Sequence, residues 1–203
     1  PAVNTIEVTS ANMLAGTQAL LSFNLKNEDT ISGFQFDLPL PNGFSIAKDE
    51  MGDEIVYINE ERISPSTHSF NTSVNNDGSQ LVLVYSLSGD QVRGNEGEVI
   101  SILVDVAADV APGNYTVELR DLELVTPEAK TYDIPQSAYT LKVCAPCDAN
   151  GDGTVSVSDI QMIVNMILND SDPLENPAAN ANGDGKISVS DIQVVVNRIL
   201  GKY

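Results

Sequence analysis

Over residues 1–143 apolar and polar positions alternate with a period of two, the pattern of strands with one buried face. Ala19, Leu21, Phe23 and Leu25 share one face of a run over 19–25, and Phe34, Phe36, Leu38 and Leu40 share one face of a run over 31–40. Similar runs cover 3–9, 68–74, 80–87, 98–107, 115–125 and 137–143; in the run over 98–107, Ile100, Ile102, Val104 and Val106 line one side. Breaks at Asn27-Glu-Asp29, Pro41-Asn-Gly43, Asn75-Asn-Asp-Gly78 and Pro112-Gly-Asn114 read as turns between antiparallel neighbours. The pattern predicts eight or nine strands in two packed sheets, a β-sandwich. Residues 47–65 fit it poorly: a short strand at Ile55–Ile58 is the one candidate, and the polar flank around Lys48–Glu54 reads as a surface excursion.

After Val143 the period changes. Ile160, Ile163, Val164, Ile167 and Leu168 fall on one face of a helix over 158–168, and Ile192, Val195, Val196, Ile199 and Leu200 repeat the arrangement. Ser156 or Ser158 is placed to cap the first helix, Ser188 or Ser190 the second. The stretch Asn169–Pro177 between the units is polar and Pro-bounded, a connector.

Each helix follows a twelve-residue acidic loop. Asp148-Ala-Asn-Gly-Asp-Gly-Thr-Val-Ser-Val-Ser-Asp159 is nearly copied, 32 residues on, by Asn180-Ala-Asn-Gly-Asp-Gly-Lys-Ile-Ser-Val-Ser-Asp191. Calcium takes six to eight oxygens, and an EF-hand loop supplies them from positions 1, 3, 5, 7, 9 and 12 around a glycine at 6. Those positions assign Asp148, Asn150, Asp152, the Thr154 carbonyl, Ser156 and Asp159 to one ion. Asn180, Asn182, Asp184, the Lys186 carbonyl, Ser188 and Asp191 are assigned to a second, with Gly153 and Gly185 at the turns. The cofactor expected is therefore two calcium ions. Asn180 removes one negative charge from the second loop, which predicts weaker binding there. Ala145-Pro146 and Pro177-Ala-Ala179 stand where a preceding EF-hand helix would be, leaving half EF-hand units.

This duplicated loop-helix unit resembles the dockerin module of cellulosome-type assemblies, here type I-like and spanning 144–203. The resemblance implies a small α calcium-binding dockerin whose exposed helix residues contact a partner cohesin. By position those are Val157, Ser158, Asn165 and Met166, with Val189, Ser190, Asn197 and Arg198 as counterparts. The first 143 residues resemble a cohesin module, through Ala15-Gly-Thr-Gln-Ala-Leu-Leu-Ser-Phe-Asn24, Ile31-Ser-Gly-Phe-Gln-Phe-Asp-Leu38, Gly97-Glu-Val-Ile-Ser-Ile-Leu-Val-Asp105 and Pro112-Gly-Asn-Tyr-Thr-Val117. That resemblance implies an all-β jelly roll that receives a dockerin. Together they imply a bacterial scaffoldin-type adaptor, without catalysis, for polysaccharide-degrading complexes. Its partners would be dockerin- and cohesin-bearing proteins, and a chain with both halves could also pair head-to-tail with itself.

Composition narrows the alternatives. The net charge of −19 disfavours nucleic acid, whose phosphates need Lys and Arg, and anionic membrane surfaces. Residues 145–203 hold eight acidic and three basic side chains, a net of −5 that two calcium ions nearly cancel; the remaining −14 lies in the first 144 residues and marks a solvated surface. Carbohydrate-binding modules share the jelly roll, but their platforms rely on coplanar aromatic rings. This chain has no Trp, leaving Tyr57, Tyr85, Tyr115 and Tyr132. One His (His68), no Gly-x-Ser-x-Gly and no assignable acid–base pair weigh against an enzyme. No apolar run approaches the ~20 residues of a membrane span. The sequence opens at Pro1 without a signal segment, as a mature, secreted or cell-surface product would. Cys144-Ala-Pro-Cys147, the only cysteines, admit a disulfide closing a tight turn, the favoured reading in an exported protein, or two free thiols. No Pro/Thr- or Gly/Ser-rich linker separates the halves, so the junction should be short and stiff.

Overall fold

In the computed structural model, which describes residues 3–202, twelve strands precede two helices. The first sheet has the order β1-β3-β9-β5, from Asn4–Ser10, Gln18–Asn27, Glu98–Val106 and Phe44–Ile46. β6 (Val56–Ile58) also pairs with β9. The second sheet runs β2-β12-β10-β4-β8-β7, from Met13–Leu14, Ser137–Cys144, Gly113–Val125, Gly33–Leu38, Gln80–Tyr85 and Ser69–Val74. There β11 (Thr131–Asp133) pairs with the distal part of β10. β10 reaches two sets of neighbours because its register with β4 shifts between Arg120 and Glu123, where Asp121 adopts φ +49°; such a bulge bends a strand.

The alternating residues meet between the sheets. Leu21, Phe23 and Leu25 of β3 face Phe34, Phe36 and Leu38 of β4, all fully buried. Phe23 stacks on Phe36 at 4.8 Å between ring centroids, and Phe36 lies 6.3 Å from Phe34. Every extended run expected from the period-two pattern is a strand. The additional ones, β2, β5 and β11, have only two or three residues each.

Residues 47–65 depart from the expected surface excursion. Only the Lys48–Glu54 tip, closed by an antiparallel bridge, stands out as a polar loop. Ala47 and Ile63 are fully buried, and β6 joins the first sheet. The Arg62 guanidinium is also buried. It donates to the carbonyls of Arg93, Leu25 (3.2 Å) and Gly97 (2.9 Å) and to Asn27 Oδ1 (2.8 Å). An arginine with five donors can satisfy several orphan carbonyls at once, and here it ties the segment to β3 and to residues 93–97.

β12 ends at Cys144. A turn closed by Asp148 N–H donating to Ala145 O (3.1 Å), with Cys147 at φ +75°, leads directly into the first acidic loop. β2 pairs in parallel with the end of β12, Met13 opposite Val143 and Leu14 opposite Cys144. The sandwich edge is thereby carried up to the loop. α1 (Val157–Leu168) and α2 (Val189–Ile199) pack on each other around Cys147, Ala149, Ile163, Met166, Ala179 and Val195. A single 3-10 turn, Pro177–Ala179, stands before the second loop.

Candidate calcium sites and helix faces

Both helices start on the inner serine. Ser156 is the N-cap of α1 and Asp159 its third residue, forming a reciprocal capping box; Ser188 and Asp191 do the same for α2. Asp159 is fully buried, with Oδ1 accepting from Asn150 N–H (3.1 Å) and Oδ2 from Ser156 N–H (2.7 Å). Asp191 is fully buried too, accepting from Asn182 N–H (3.1 Å) and Ser188 N–H (2.8 Å). Side-chain-to-backbone turns shape the rest of each loop: Asn150 Oδ1 accepts from Asp152 N–H (2.9 Å) and Asp152 Oδ1 from Thr154 N–H (2.8 Å). Asn182 Oδ1 and Asp184 Oδ1 repeat this, each at 2.9 Å, toward Asp184 and Lys186. Gly153 and Gly185 sit at φ +88° and +82°, where a side chain would be strained.

In each loop one buried oxygen atom at an expected ligand position lacks a partner. Asp148 Oδ1 and Asn180 Oδ1, the first ligand position of each loop, are buried and accept no hydrogen bond. Beside each lies a fully buried carboxylate, Asp159 or Asp191, held only by hydrogen bonds from its own loop and cap. Burying an ionised carboxylate without a counter-charge is costly. A hard dication would offset that cost and satisfy the orphan oxygens, so the residues present fit calcium. Among the described residues no group of three His, Cys, Asp or Glu side chains gathers as a metal cluster. Each loop relies on amide and hydroxyl oxygens beside its carboxylates, and Asp152 and Asp184 are exposed at the loop surface.

The helix faces are divided. Val157 and Val189 are 61% and 70% exposed, and Asn165 and Arg198 are exposed as well. Ser158 is half-buried and Ser190 exposed, and their hydroxyls accept from Asn150 Nδ2 (2.9 Å) and Asn182 Nδ2 (2.8 Å). Asn197 Oδ1 accepts from Gln193 Nε2 (3.1 Å). Met166 must be corrected as a contact residue. It is 8% exposed and packs in the core between the helices, one turn beyond Ile163, while Leu168, expected inside, is exposed at the helix end. Ile199 and Leu200 are exposed likewise.

The cysteines are a second correction. Both are free rather than bridged, and both are buried. Burial, with Asp148 nearby, pushes the Cys144 thiol up to about 11, and burial also raises Cys147. Disulfide formation proceeds through the thiolate, which this environment suppresses.

Three contributors carry no sequence signal. Lys142 on β12 donates to the Gly151 carbonyl in the first loop. Asn12, just before β2, lies against the same glycine. Asn176 Nδ2 donates to Ala149 O (3.0 Å), tying the connector to the first loop.

Residues 146–200 match the family profile of the Dockerin type I domain, and type I dockerin domains bind calcium. No curated protein matches the chain. Among solved structures, a non-cellulosomal cohesin from the archaeon Archaeoglobus fulgidus is similar at 15% identity and a TM-score of 0.54, over 72% of this chain and 95% of that one. The third ScaC cohesin of Acetivibrio cellulolyticus, solved in complex with the ScaB dockerin, gives 12% and 0.55 over 70% and 100%. The OlpA cohesin of Clostridium thermocellum, from a type I cohesin–dockerin complex, gives 19% and 0.52 over 69% and 99%. At such identities the likeness is one of fold, and the share of this chain that is covered corresponds to the length of the sandwich. The chain thus joins a sandwich with the fold seen in cohesins to a C-terminal region that matches the type I dockerin family model.

Proposed function

We infer that this protein is a non-catalytic adaptor, in which the sandwich (1–143) receives a dockerin-bearing protein and the C-terminal module (144–203) inserts into a cohesin on another. The observation that carries the reading is the union, in one chain, of a cohesin-fold sandwich and a type I dockerin match. Cohesin and dockerin domains are interaction modules without catalysis. Two calcium ions would be held by Asp148, Asn150, Asp152, Thr154, Ser156 and Asp159, and by Asn180, Asn182, Asp184, Lys186, Ser188 and Asp191. The ions supply positive charge that neutralises buried carboxylates and fixes each loop against its helix. The chain's own residues then present Val157 and Ser158, or Val189 and Ser190, with Asn165, Asn197 and Arg198 further along the helices. Such a protein would work outside the cell, in the assembly of polysaccharide-degrading complexes. Among the described residues no helix is long and apolar enough to cross a membrane.

A carbohydrate platform on the sandwich gains no support. Three of its tyrosines are half-buried with engaged hydroxyls: Tyr115 OH donates to Ala111 O (2.7 Å), Tyr132 OH to Asp29 Oδ2 (3.2 Å), and Tyr85 OH accepts from Asn71 Nδ2 (3.3 Å). The test is calorimetric titration of the full chain against a panel of type I cohesins and of dockerins, in calcium and in chelator. Binding of both partner kinds, with the dockerin half calcium-dependent, is expected. Retention on insoluble polysaccharide with no binding to either partner kind would sink the adaptor reading. Light scattering of the chain alone in calcium reads head-to-tail pairing directly.

A further inference from the structure

The two calcium loops are near copies in sequence, yet their surroundings differ. The first is pressed onto the sandwich. Gly151 is buried, its carbonyl accepts from the Lys142 ammonium, and a Cβ at this position would lie 2.8 Å from Asn12 Nδ2 and 3.0 Å from Lys142 Nζ. The equivalent Gly183 of the second loop has nearly the same backbone, φ +73° against +69°, but is exposed, and a Cβ there would meet nothing within 4 Å. Asn180, Gly183 and Gly185 instead border an open groove of about 410 Å³, across from Gly16, Thr17 and Gln18. Between the loops, the Pro177–Ala179 turn contacts β2, with Ala178 and Met13 fully buried.

We propose that the sandwich edge clamps the first calcium loop, with Lys142 and Asn12 as positioning residues, so that this loop holds its ion more tightly and releases it later than the second. The proposal rests on the reading of residues 148–159 as a calcium loop, and it goes beyond the charge difference between Asp148 and Asn180. A loop held from outside has fewer open conformations through which its ligands separate, and a partner that binds only the closed form shifts the equilibrium toward it. The clamp also sets the direction in which the dockerin leaves the sandwich, making the adaptor one docked body at this edge.

Charge and clamping predict opposite signs for one substitution. Lys142→Met removes a positive charge beside a cation site, which by charge alone tightens calcium binding. As loss of a clamp, it weakens binding. A charge-assisted hydrogen bond made by a half-buried lysine implies a loss of roughly 5- to 10-fold. Calcium is titrated into the full chain while the amides of Gly153 and Gly185, one per loop, are followed by nuclear magnetic resonance. Lys142→Met is expected to weaken the first loop by that factor and leave the second unchanged; an unchanged or tightened first loop overturns the clamp. Gly151→Ala and Gly183→Ala form a matched pair, because the left-handed strain is common to both and only the first meets Asn12 and Lys142, both ends of flexible side chains. A larger loss at the first loop is expected, and equal losses count against the clamp. Should Gly151→Ala fail to fold, Lys142→Met still decides. If neither amide responds to calcium in the parent chain, the calcium reading itself fails; if both respond and Lys142→Met leaves the first loop alone, only the clamp does.

Discussion

Chelation should unfold the C-terminal module and leave the sandwich standing. The core of that module contains three large, nearly buried side chains, Ile163, Met166 and Val195, beside Cys147, Ala149 and Ala179. Full burial of three such side chains is worth about 5–9 kcal/mol, with smaller shares from half-buried neighbours such as Ile160, Ile167, Ile187 and Ile192, and this must order two loops, a connector and helices of 12 and 11 residues. Helices of that length are marginal alone. Calcium at about a thousandfold excess over its dissociation constant adds about 4 kcal/mol per site, so about 8 kcal/mol for two. Its removal exceeds the ~3–5 kcal/mol that a core of this size ordinarily leaves in hand. The Lys142 clamp, one hydrogen bond whose 5- to 10-fold effect is about 1–1.4 kcal/mol, is too small to compensate. The assay is circular dichroism of the full chain at 222 nm, titrated with chelator, followed by thermal melting. Loss of the helical signal should precede a melt of the sandwich at an unchanged temperature. A helical signal that survives excess chelator, or a sandwich that melts along with the helices, would refute the reasoning.

Other outcomes follow from single residues. Asn180→Asp restores the missing charge and should tighten the second site roughly 30-fold in calorimetry, about 2 kcal/mol for a dication and one carboxylate at ε ≈ 80 and 4 Å. Ser188→Ala removes the N-cap of α2 and should cost about 1 kcal/mol, read as an earlier loss of helix on chelator titration. Arg62→Met leaves the Arg93 carbonyl and Asn27 Oδ1 without their guanidinium donor; at about 1–3 kcal/mol per orphaned group, the sandwich should melt well below the parent, and Arg62→Lys, with fewer donors, should not restore it. Both thiols should resist alkylation at pH 8 until denaturant is added. The folded Cys144 keeps its proton up to about 11, whereas an unfolded thiol ionises near ~8.5. The unfolded state therefore binds fewer protons between those values, and stability falls as pH rises through that window.

The sandwich was legible because strands with one buried face must alternate, and Ala19–Leu25 or Gln80–Tyr85 give windows long enough to register the period. β2, β5 and β11 are too short to do so; tertiary pairing makes them strands. Over residues 47–65 the polar flank Lys48–Glu54 is the exposed loop expected, but the excursion was extended too far: β6 joins the first sheet, and Arg62 is buried by hydrogen bonds to carbonyls of residues 25, 93 and 97, which no local pattern signals. The paired acidic loops stood out in the sequence because coordination chemistry dictates both residue type and spacing, and the repeat recurs in their hydrogen bonds. Met166 was placed by position through the dockerin resemblance and Leu168 by helical periodicity; in the last turn of α1 Met166 faces the core between the helices, whereas Leu168 at the helix end is exposed. Lys142 and Asn12 lie about 130 residues apart in sequence and are ordinary polar residues. Only the parallel pairing of β2 with β12 brings them to Gly151.

The loops and helices are one device rather than two in series. Ser156 is at once ligand position 9 and the N-cap of α1, and Asp159 is at once position 12 and the third helical residue, closing the capping box. Val157 and Ser158, the residues proposed to meet a partner, are therefore the two positions enclosed between a pair of proposed ligands. Ser158 is further tied by Asn150, a ligand from the other side of the loop. Ser188, Val189, Ser190 and Asp191 repeat the construction. An ion held by positions 9 and 12 fixes the backbone of positions 10 and 11, because only two residues span the gap. On the adaptor reading, calcium would act on partner binding without any change of helix angle, by pre-ordering the contact residues and removing an entropic cost of association. A variant that weakens the ion at one loop, such as Asn182→Ala at the second, should then lower cohesin affinity through Val189 and Ser190 while leaving binding through Val157 and Ser158 intact. Surface plasmon resonance against an immobilised cohesin, run with and without a Val157→Asp block on the first face, separates the two. Equal affinity of Asn182→Ala and its parent behind that block would break the link between ion and contact face.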